Sequence, residues 1–321
     1  MRGNDRQSRQ PAISIVTPVR NRRHLLGRAI RSVLGQTLGD WEWLIVDDAS
    51  DDCPEELVRS WSDRRIRYER LERQRGANAA RNHGIALTRS PIVTFLDSDD
   101  EFLPRRLEKT LSILNADEAT DLLISSFETR KACRSSRSIN RSCVLAPDAL
   151  ERALVSHAVF LGGSAITMRR ELLDRCGGFA ECLQRMQDRE MLLSVAAAQA
   201  KSSRQGARLL SSIDWIKYQQ TDSISSSPEG FVTALGAMFA LHPDVALRHG
   251  ALVRYHVARR MLSCLMRGDV HMLRLTGCEN VSVEGFGFGA RDLVTGYVRG
   301  RMDRVAVVRE LRSRGACVTD R

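Results

Sequence analysis

The sequence predicts an α/β protein: a mostly parallel sheet with helices on both faces, followed by a helical C-terminal extension. Three observations carry this. Short β-branched runs alternate with runs of helical period through the first hundred residues. Three strand ends run into polar or acidic clusters. Beyond Pro228 only helical spacing remains.

The elements follow in order. Ile13-Ser14-Ile15-Val16-Thr17 is a strand that Pro18 is expected to stop. Leu25, Leu26, Ala29, Ile30, Val33 and Leu34 recur at helical spacing, and Trp43-Leu44-Ile45-Val46 is a second apolar run ending in Asp47-Asp48. Glu55 to Trp61 reads as a helix, Ile66-Arg67-Tyr68 as a short strand, and Ala77 to Leu87 as an alanine-rich helix. Pro91 to Leu96 is a strand that ends in Asp97-Ser98-Asp99-Asp100. This βαβαβαβ order implies parallel strands, whose carboxyl ends form the rim where ligands bind. Pro18 to Asn21, Asp47-Asp48 and Asp97 to Asp100 all fall on that rim. One acidic turn is ordinary helix capping; several on one rim point to a site.

Further along, Leu103 to Leu114 is a helix, Leu122 to Ser125 a strand, and Lys131 to Ser142 a basic hairpin or loop. Ala165 to Met168 is a strand, Gly177-Gly178-Phe179 a turn, Asp188 to Ala198 a helix, and Ile213 to Tyr218 the last strand. Val232 to Leu241 and Val245 to Leu265 are the clearest helices of the extension. Gly285-Phe286-Gly287-Phe288-Gly289 lacks the βαβ context of a dinucleotide loop and reads as a turn. The expected divisions are a loose tail at 1–11, a catalytic α/β domain at 12–226 and the helical extension at 227–321.

Of 321 residues 43% are hydrophobic, enough for a sizeable core, and 27% are charged. The net charge is +10, and only four of the 49 basic residues are lysine. The arginines are scattered and aromatics make up 5%, so no base-stacking platform is visible and a nucleic-acid partner is not expected. From Gly230 onward, 14 arginines face 8 acids. Leu252, Tyr255, Arg259 and Leu262 would give one helix an apolar face with a basic flank. Such a face packs on the catalytic domain or lies on a membrane surface. The eight cysteines form no Cys-x-x-Cys pair and no zinc-site spacing, and no apolar run is long enough to span a membrane. With no secretory signal read at the N-terminus, a cytoplasmic location is expected, with peripheral contact at the inner face of the membrane as its variant.

Asp97-x-Asp99 is the best candidate for chemistry. Residues two apart at a strand's end project into one crevice, and carboxylates there suit Mg2+ or Mn2+, which prefer hard oxygen ligands.

Five segments together resemble family 2 glycosyltransferases of the GT-A fold, whose sheet is Rossmann-like. They are Ile13 to Asn21; Ser32-Val33-Leu34-Gly35-Gln36-Thr37; Trp43 to Asp52; Gly76-Ala77-Asn78-Ala79-Ala80-Arg81-Asn82-His83-Gly84; and Phe95 to Asp100. The resemblance covers about residues 12 to 225. It implies an inverting, metal-dependent transfer of a sugar from a nucleotide-sugar, usually a UDP-sugar, to a glycan or lipid-linked acceptor. Pro18, Val19 and Arg20 would border the base, and Asp48 would accept a hydrogen bond from it. Gly76, Asn78 and Arg81 would lie along the ribose and phosphates, with Arg81 fitting equally a structural pairing with a carboxylate. Asp97 and Ser98 would complete the donor site and Asp99 would hold the metal. Asp47 and Asp51 read as turn and capping residues.

Gly177-Gly178-Phe179 followed by Gln187-Asp188-Arg189-Glu190 resembles the family segment that carries the catalytic base. The matching carboxylate is Asp188, with Glu190 its competitor; both also suit a helix N-terminus. Two departures stand out. Gln187 and Arg189 replace the usual Glu and aromatic, and Arg189 suggests an anionic acceptor. Gln220 stands where relatives place a metal-binding histidine, so a weaker metal shell is expected. Two rival readings remain: a sugar-phosphate nucleotidyltransferase, which would need glycines that Pro18 to Arg23 lacks, and a nucleotide-sugar-binding protein without turnover.

Overall fold

The computed structural model describes residues 10–132, 134–202, 206–219, 228–266 and 290–314. Residues 1–9 of the expected tail, Gln220 and the glycine turn at Gly285 to Gly289 lie outside them. The strands are β1 (Ile13–Val19), β2 (Trp41–Asp47), β3 (Ile66–Arg70), β4 (Ile92–Phe95), β5 (Glu101–Phe102), β6 (Leu122–Lys131), β7 (Arg134–Ser138), β8 (Cys143–Leu145), β9 (Ile166–Arg169) and β10 (Ala207–Tyr218). The helices are α1 (Arg23–Leu34), α2 (Pro54–Ser60), α3 (Ala77–Leu87), α4 (Arg106–Ala116), α5 (Pro147–Val155), α6 (Arg170–Cys176), α7 (Gln187–Ala200), α8 (Pro228–Leu241), α9 (Pro243–Arg248), α10 (Gly250–Leu265) and α11 (Ala290–Arg314).

One sheet runs in the order β3-β2-β1-β4-β9-β6-β10-β5, with β7 on β6 and β8 on β10. The first four strands are mutually parallel, as the alternation requires. β9 enters antiparallel between β4 and β6, and β10 returns parallel to β6. The sheet is therefore mixed rather than uniformly parallel.

Pro18 does not stop β1. The strand continues to Val19, with Pro18 opposite Val46. The reason is orientation. The Val16 carbonyl accepts from Leu96 on the β4 side, while the Val19 carbonyl accepts from Asp48 on the β2 side. Residues alternate between the two neighbours, so Pro18 turns its missing N–H toward a β4 that has already ended at Phe95. α3 is pressed onto β1 and β2 through Gly84: a Cβ there would stand 2.6 Å from Val16 Cγ1 and 3.1 Å from Val46 Cγ2. That contact places the start of α3 over the strand ends.

The extension is not a single run over Val245 to Leu265. It breaks at His249, whose ring bonds Glu151 of α5 at 2.8 Å. Leu252 and Tyr255, on the face considered for membrane contact, are buried. Gly296 and Gly300 of α11 let that helix close on Arg254, Ala251 and Tyr255. One apolar core runs from the sheet into the extension through Leu235, Phe239, Val245, Leu252, Val307 and Leu311.

Candidate active site

The carboxyl ends of β1, β2 and β4 meet the first turns of α3 and α7 and the short 3-10 turn Gly163–Ala165. After β4 the turn alternates: Asp97 and Asp99 are partly open, while Ser98 and Asp100 are buried. The spacing of two thus puts both candidate carboxylates on the solvent side. It removes Ser98 from that side.

Asp97 accepts from Arg81 Nη2 at 2.7 Å. Arg81 also reaches Asn78 Oδ1 and Gln187 Oε1 and is almost fully buried. Burial opposes the guanidinium charge, but Asp97, Asp188 and Asp99 outweigh it and its pKa is raised. Arg81 is therefore paired with a carboxylate at the site itself. Asp100 accepts from Ser164 Oγ at 2.6 Å, and that oxygen accepts the Asp97 N–H at 3.0 Å. This relay ties the β4 turn to the 3-10 turn. Burial, then Asp97 and Asp99, pushes the Asp100 carboxyl well above the ordinary range.

Asp188 lies in the first turn of α7, after Met186 in a left-handed conformation (φ 58°). Its Oδ1 is buried and has no hydrogen-bond partner among the described residues. A Cβ on Gly163 would stand 3.2 and 3.3 Å from the Asp97 oxygens and 3.4 Å from Asp188 Oδ1. Both carboxylates therefore converge on one gap that only a glycine leaves open. Burial, then Asp97, raises the Asp188 pKa against the pull of Arg81 and Lys217. Glu190 faces elsewhere: it is buried and bonds Ser194 and His242 Nε2 at 3.2 and 3.0 Å. Arg189 turns to the Leu154 carbonyl at the end of α5. Gly163→Ala is expected to displace both carboxylates by a few tenths of an ångström. Turnover should fall about tenfold, with a smaller loss of donor affinity because Asp97 moves too; an unchanged rate would show that the gap is not at the reacting centre.

The side expected to take the donor includes Asp48. Its two oxygens accept the Arg75 and Gly76 N–H groups at 2.6 and 2.8 Å. It therefore shapes the loop entering α3, where Gly76 has φ 96° and open space at its Cβ position. Pro18 and Val19 are buried at the strand end, and Arg20 carries a buried Nη1 with no partner among the described residues. Asn78 is buried and donates to the Ala180 and Leu183 carbonyls, so it braces the approach to α7. Asp47 is wholly buried and holds Tyr68, Arg70 and Ser50; Asp51 pairs with Asn21. Both do turn work.

Sequence reasoning missed the cations around Asp99. Arg22 Nη1 pairs with Asp99 Oδ2 at 2.8 Å. Arg28 stacks 3.5 Å from the Tyr218 ring centroid and reaches the Asp99 carbonyl. Lys217 lies close enough to draw the Asp99 and Asp188 pKa values down. Arg22 directly follows a rim cluster and was within reach of a sequence reading. Gly163 and Ser164 carry no local signal.

Among the described residues no three His, Cys, Asp or Glu side chains form a ready metal cage. The donor set nonetheless fits Mg2+ or Mn2+, which take one or two carboxylates and fill the shell with phosphate oxygens and water. Asp99 faces the crevice beside Asp97, and burial followed by that neighbouring charge raises its pKa, a repulsion that a cation would relieve.

A family model described as glycosyl transferase family 2 matches residues 14–177. The chain is 37% identical over 102 residues to the UDP-Glc:alpha-D-GlcNAc-diphosphoundecaprenol beta-1,3-glucosyltransferase WfgD of Escherichia coli, covering 32% of this chain and 40% of that protein. It is 36% identical over 102 residues to the succinoglycan biosynthesis protein ExoU of Rhizobium meliloti, covering 31% and 30%. The matched stretch is thus less than half of either relative. In shape, the chain is similar to S. aureus TarS 1-349 solved with UDP-GlcNAc, at a TM-score of 0.61 and 16% identity, over 94% of this chain and 90% of that one. A likeness at that identity bears on the fold.

Proposed function

Since the chain belongs to glycosyl transferase family 2, we propose that it transfers a sugar, with inversion, from a UDP-sugar to a hydroxyl of a glycan or lipid-linked acceptor in polysaccharide synthesis. The observation that carries this reading is the convergence of Asp97 and Asp188 on the Gly163 gap, with Asp99 opening into the same crevice. WfgD is named for a UDP-Glc donor, which favours a UDP-sugar here.

The residues divide the work. The rim formed by Pro18, Val19, Arg20 and the Asp48 loop takes the nucleoside. Asp97 takes the ribose side, held in place by Arg81 and the Ser164 bond. Asp188 Oδ1 accepts the proton of the acceptor hydroxyl. The hydroxyl oxygen bonds to the anomeric carbon, and the bond from that carbon to the diphosphate breaks on the opposite face. Arg22, Arg28 and Lys217 supply positive charge where the diphosphate gains negative charge. Asp99, with Gln220 as a weaker ligand, would hold Mg2+ or Mn2+, whose charge stabilises the leaving diphosphate. Arg22 pairs with Oδ2 of Asp99, which leaves Oδ1 as the oxygen that would face the ion. The reading places the protein in the cytoplasm, without a nucleic-acid partner.

A panel of nucleotide-sugars, titrated calorimetrically with and without Mn2+, tests this. One UDP-sugar should bind more tightly with the metal and release UDP slowly. Failure to bind any nucleotide-sugar would overturn the reading, and binding with no UDP release to any acceptor or water would favour the non-catalytic alternative.

A further inference from the structure

The α10 face considered for packing or membrane contact is closed at Leu252 and Tyr255 but open at Leu262, and a longer open stripe lies on α11. On α11, Val294, Val298, Met302 and Val305 are 67%, 57%, 62% and 40% exposed. At helical pitch they fall within about 80° of arc, a single stripe. The opposite face is the packed one. Val307 and Leu311 are buried, Gly296 and Gly300 seat the helix on α10, and Arg304 Nε bonds the Ser156 carbonyl at 3.1 Å.

Charge divides along the same line. Arg301, Arg309 and Arg312 are exposed beside the apolar stripe, and none has a carboxylate partner among the described residues. The acids of the described side chains sit away from it: Glu310 bonds Arg152 and Arg314 at 3.2 and 2.6 Å, and Asp303 is half-buried. Among the described residues the charged side chains bordering this stripe are arginines.

We infer that this face of α11 lies on an anionic phospholipid surface, with the four apolar side chains entering the headgroup boundary and the three arginines meeting lipid phosphates. Charge selects that occupant over a second copy of the chain. The same face on a second copy would bring three arginines and no described carboxylate to meet three more, adding like charge to like charge. The inference does not depend on the transfer reaction. α11 packs on α5, and α5 on the helix that carries Asp188, so a docked α11 would fix how the acidic crevice faces the lipid surface.

Flotation with vesicles tests it, using phosphatidylcholine alone and phosphatidylcholine mixed with phosphatidylglycerol. The full chain should float with the anionic vesicles only and be released by salt. Val298→Glu with Met302→Glu should reduce binding about tenfold or more, as should Arg301→Glu with Arg309→Glu. Arg31→Glu with Arg59→Glu makes the same charge change on exposed residues of α1 and α2 and should bind as the parent does. Thermal melting of each variant separates lost binding from lost folding, since every altered side chain is exposed. Equal binding to both vesicle types, or equal loss in the α1 and α2 variant, overturns the inference. So does a dimer, seen by light scattering, that the Val298→Glu and Met302→Glu change disperses.

Discussion

Replacing Asp188 by asparagine is expected to cut transfer by about a thousandfold while leaving donor affinity within about twofold. Asp188 Oδ1 is buried, unpartnered and beside the Gly163 gap, so it is placed to take a proton and holds no other group in position. Asparagine keeps the shape and loses the basicity. The pH profile supplies a second readout. Burial, with Asp97 adding to it, raises this carboxyl above the ordinary Asp range. As pH falls through that raised value Asp188 gains a proton and kcat/KM drops, so the acid limb should lie higher than an exposed aspartate would give. Stability should move the other way. A carboxyl whose folded pKa is raised destabilises the fold above that pKa, and the penalty fades as pH falls through it. Asp188→Asn should therefore melt no lower than the parent at neutral pH. A variant that retains transfer would move the role of base to another group, and Glu190 is the next to test: Oε1 bonds His242 and Ser194, while its buried Oε2 has no partner among the described residues.

Replacing Asp99 by asparagine is expected to lower kcat/KM by about two to three orders of magnitude and to flatten its dependence on metal concentration. The carboxylate is about a quarter exposed and pairs with Arg22 through Oδ2, so Oδ1 is the oxygen that would hold the ion. Titrating Mn2+ by electron paramagnetic resonance, with UDP present, measures this directly. Weaker Mn2+ binding in the variant supports the assignment, and unchanged affinity would remove Asp99 from the metal shell. The comparison with Asp188→Asn is informative, because that change should leave Mn2+ binding alone.

Much of the architecture could be read from the residues. The parallel order of the first four strands followed from β-branched runs alternating with helical spacing. The rim followed from where the polar clusters fell. The turn after β4 shows how far spacing carries: Asp97 and Asp99 emerge on one side because they are two apart, and the same rule buries Ser98 and Asp100. Spacing stops short where tertiary context decides. Pro18 continues its strand because its neighbour has ended, which depends on register. β9 runs antiparallel because the chain re-enters the sheet between β4 and β6. Gly163 and Ser164 reach the crevice from more than sixty residues beyond Asp97, in a segment with no periodicity or motif. Arg81 fitted two roles in the sequence, and the Asp97 pair fills one of them without excluding phosphate nearby. Arg189 invited a direct part in acceptor choice, yet its guanidinium is spent on a helix-end carbonyl.

The bond between Glu190 and His242 also bears on modularity. Glu190 belongs to the helix that presents Asp188, whereas His242 opens α9 in the extension; the carboxylate is buried and the imidazole partly so. The extension therefore does not behave as a cassette. Grafting the tail of a relative onto this domain would strand a buried carboxylate on α7 itself, two residues from Asp188, unless residue 190 were exchanged with it. Chimeras that alter acceptor choice should accordingly be cut so that α7 travels with the helices that follow it.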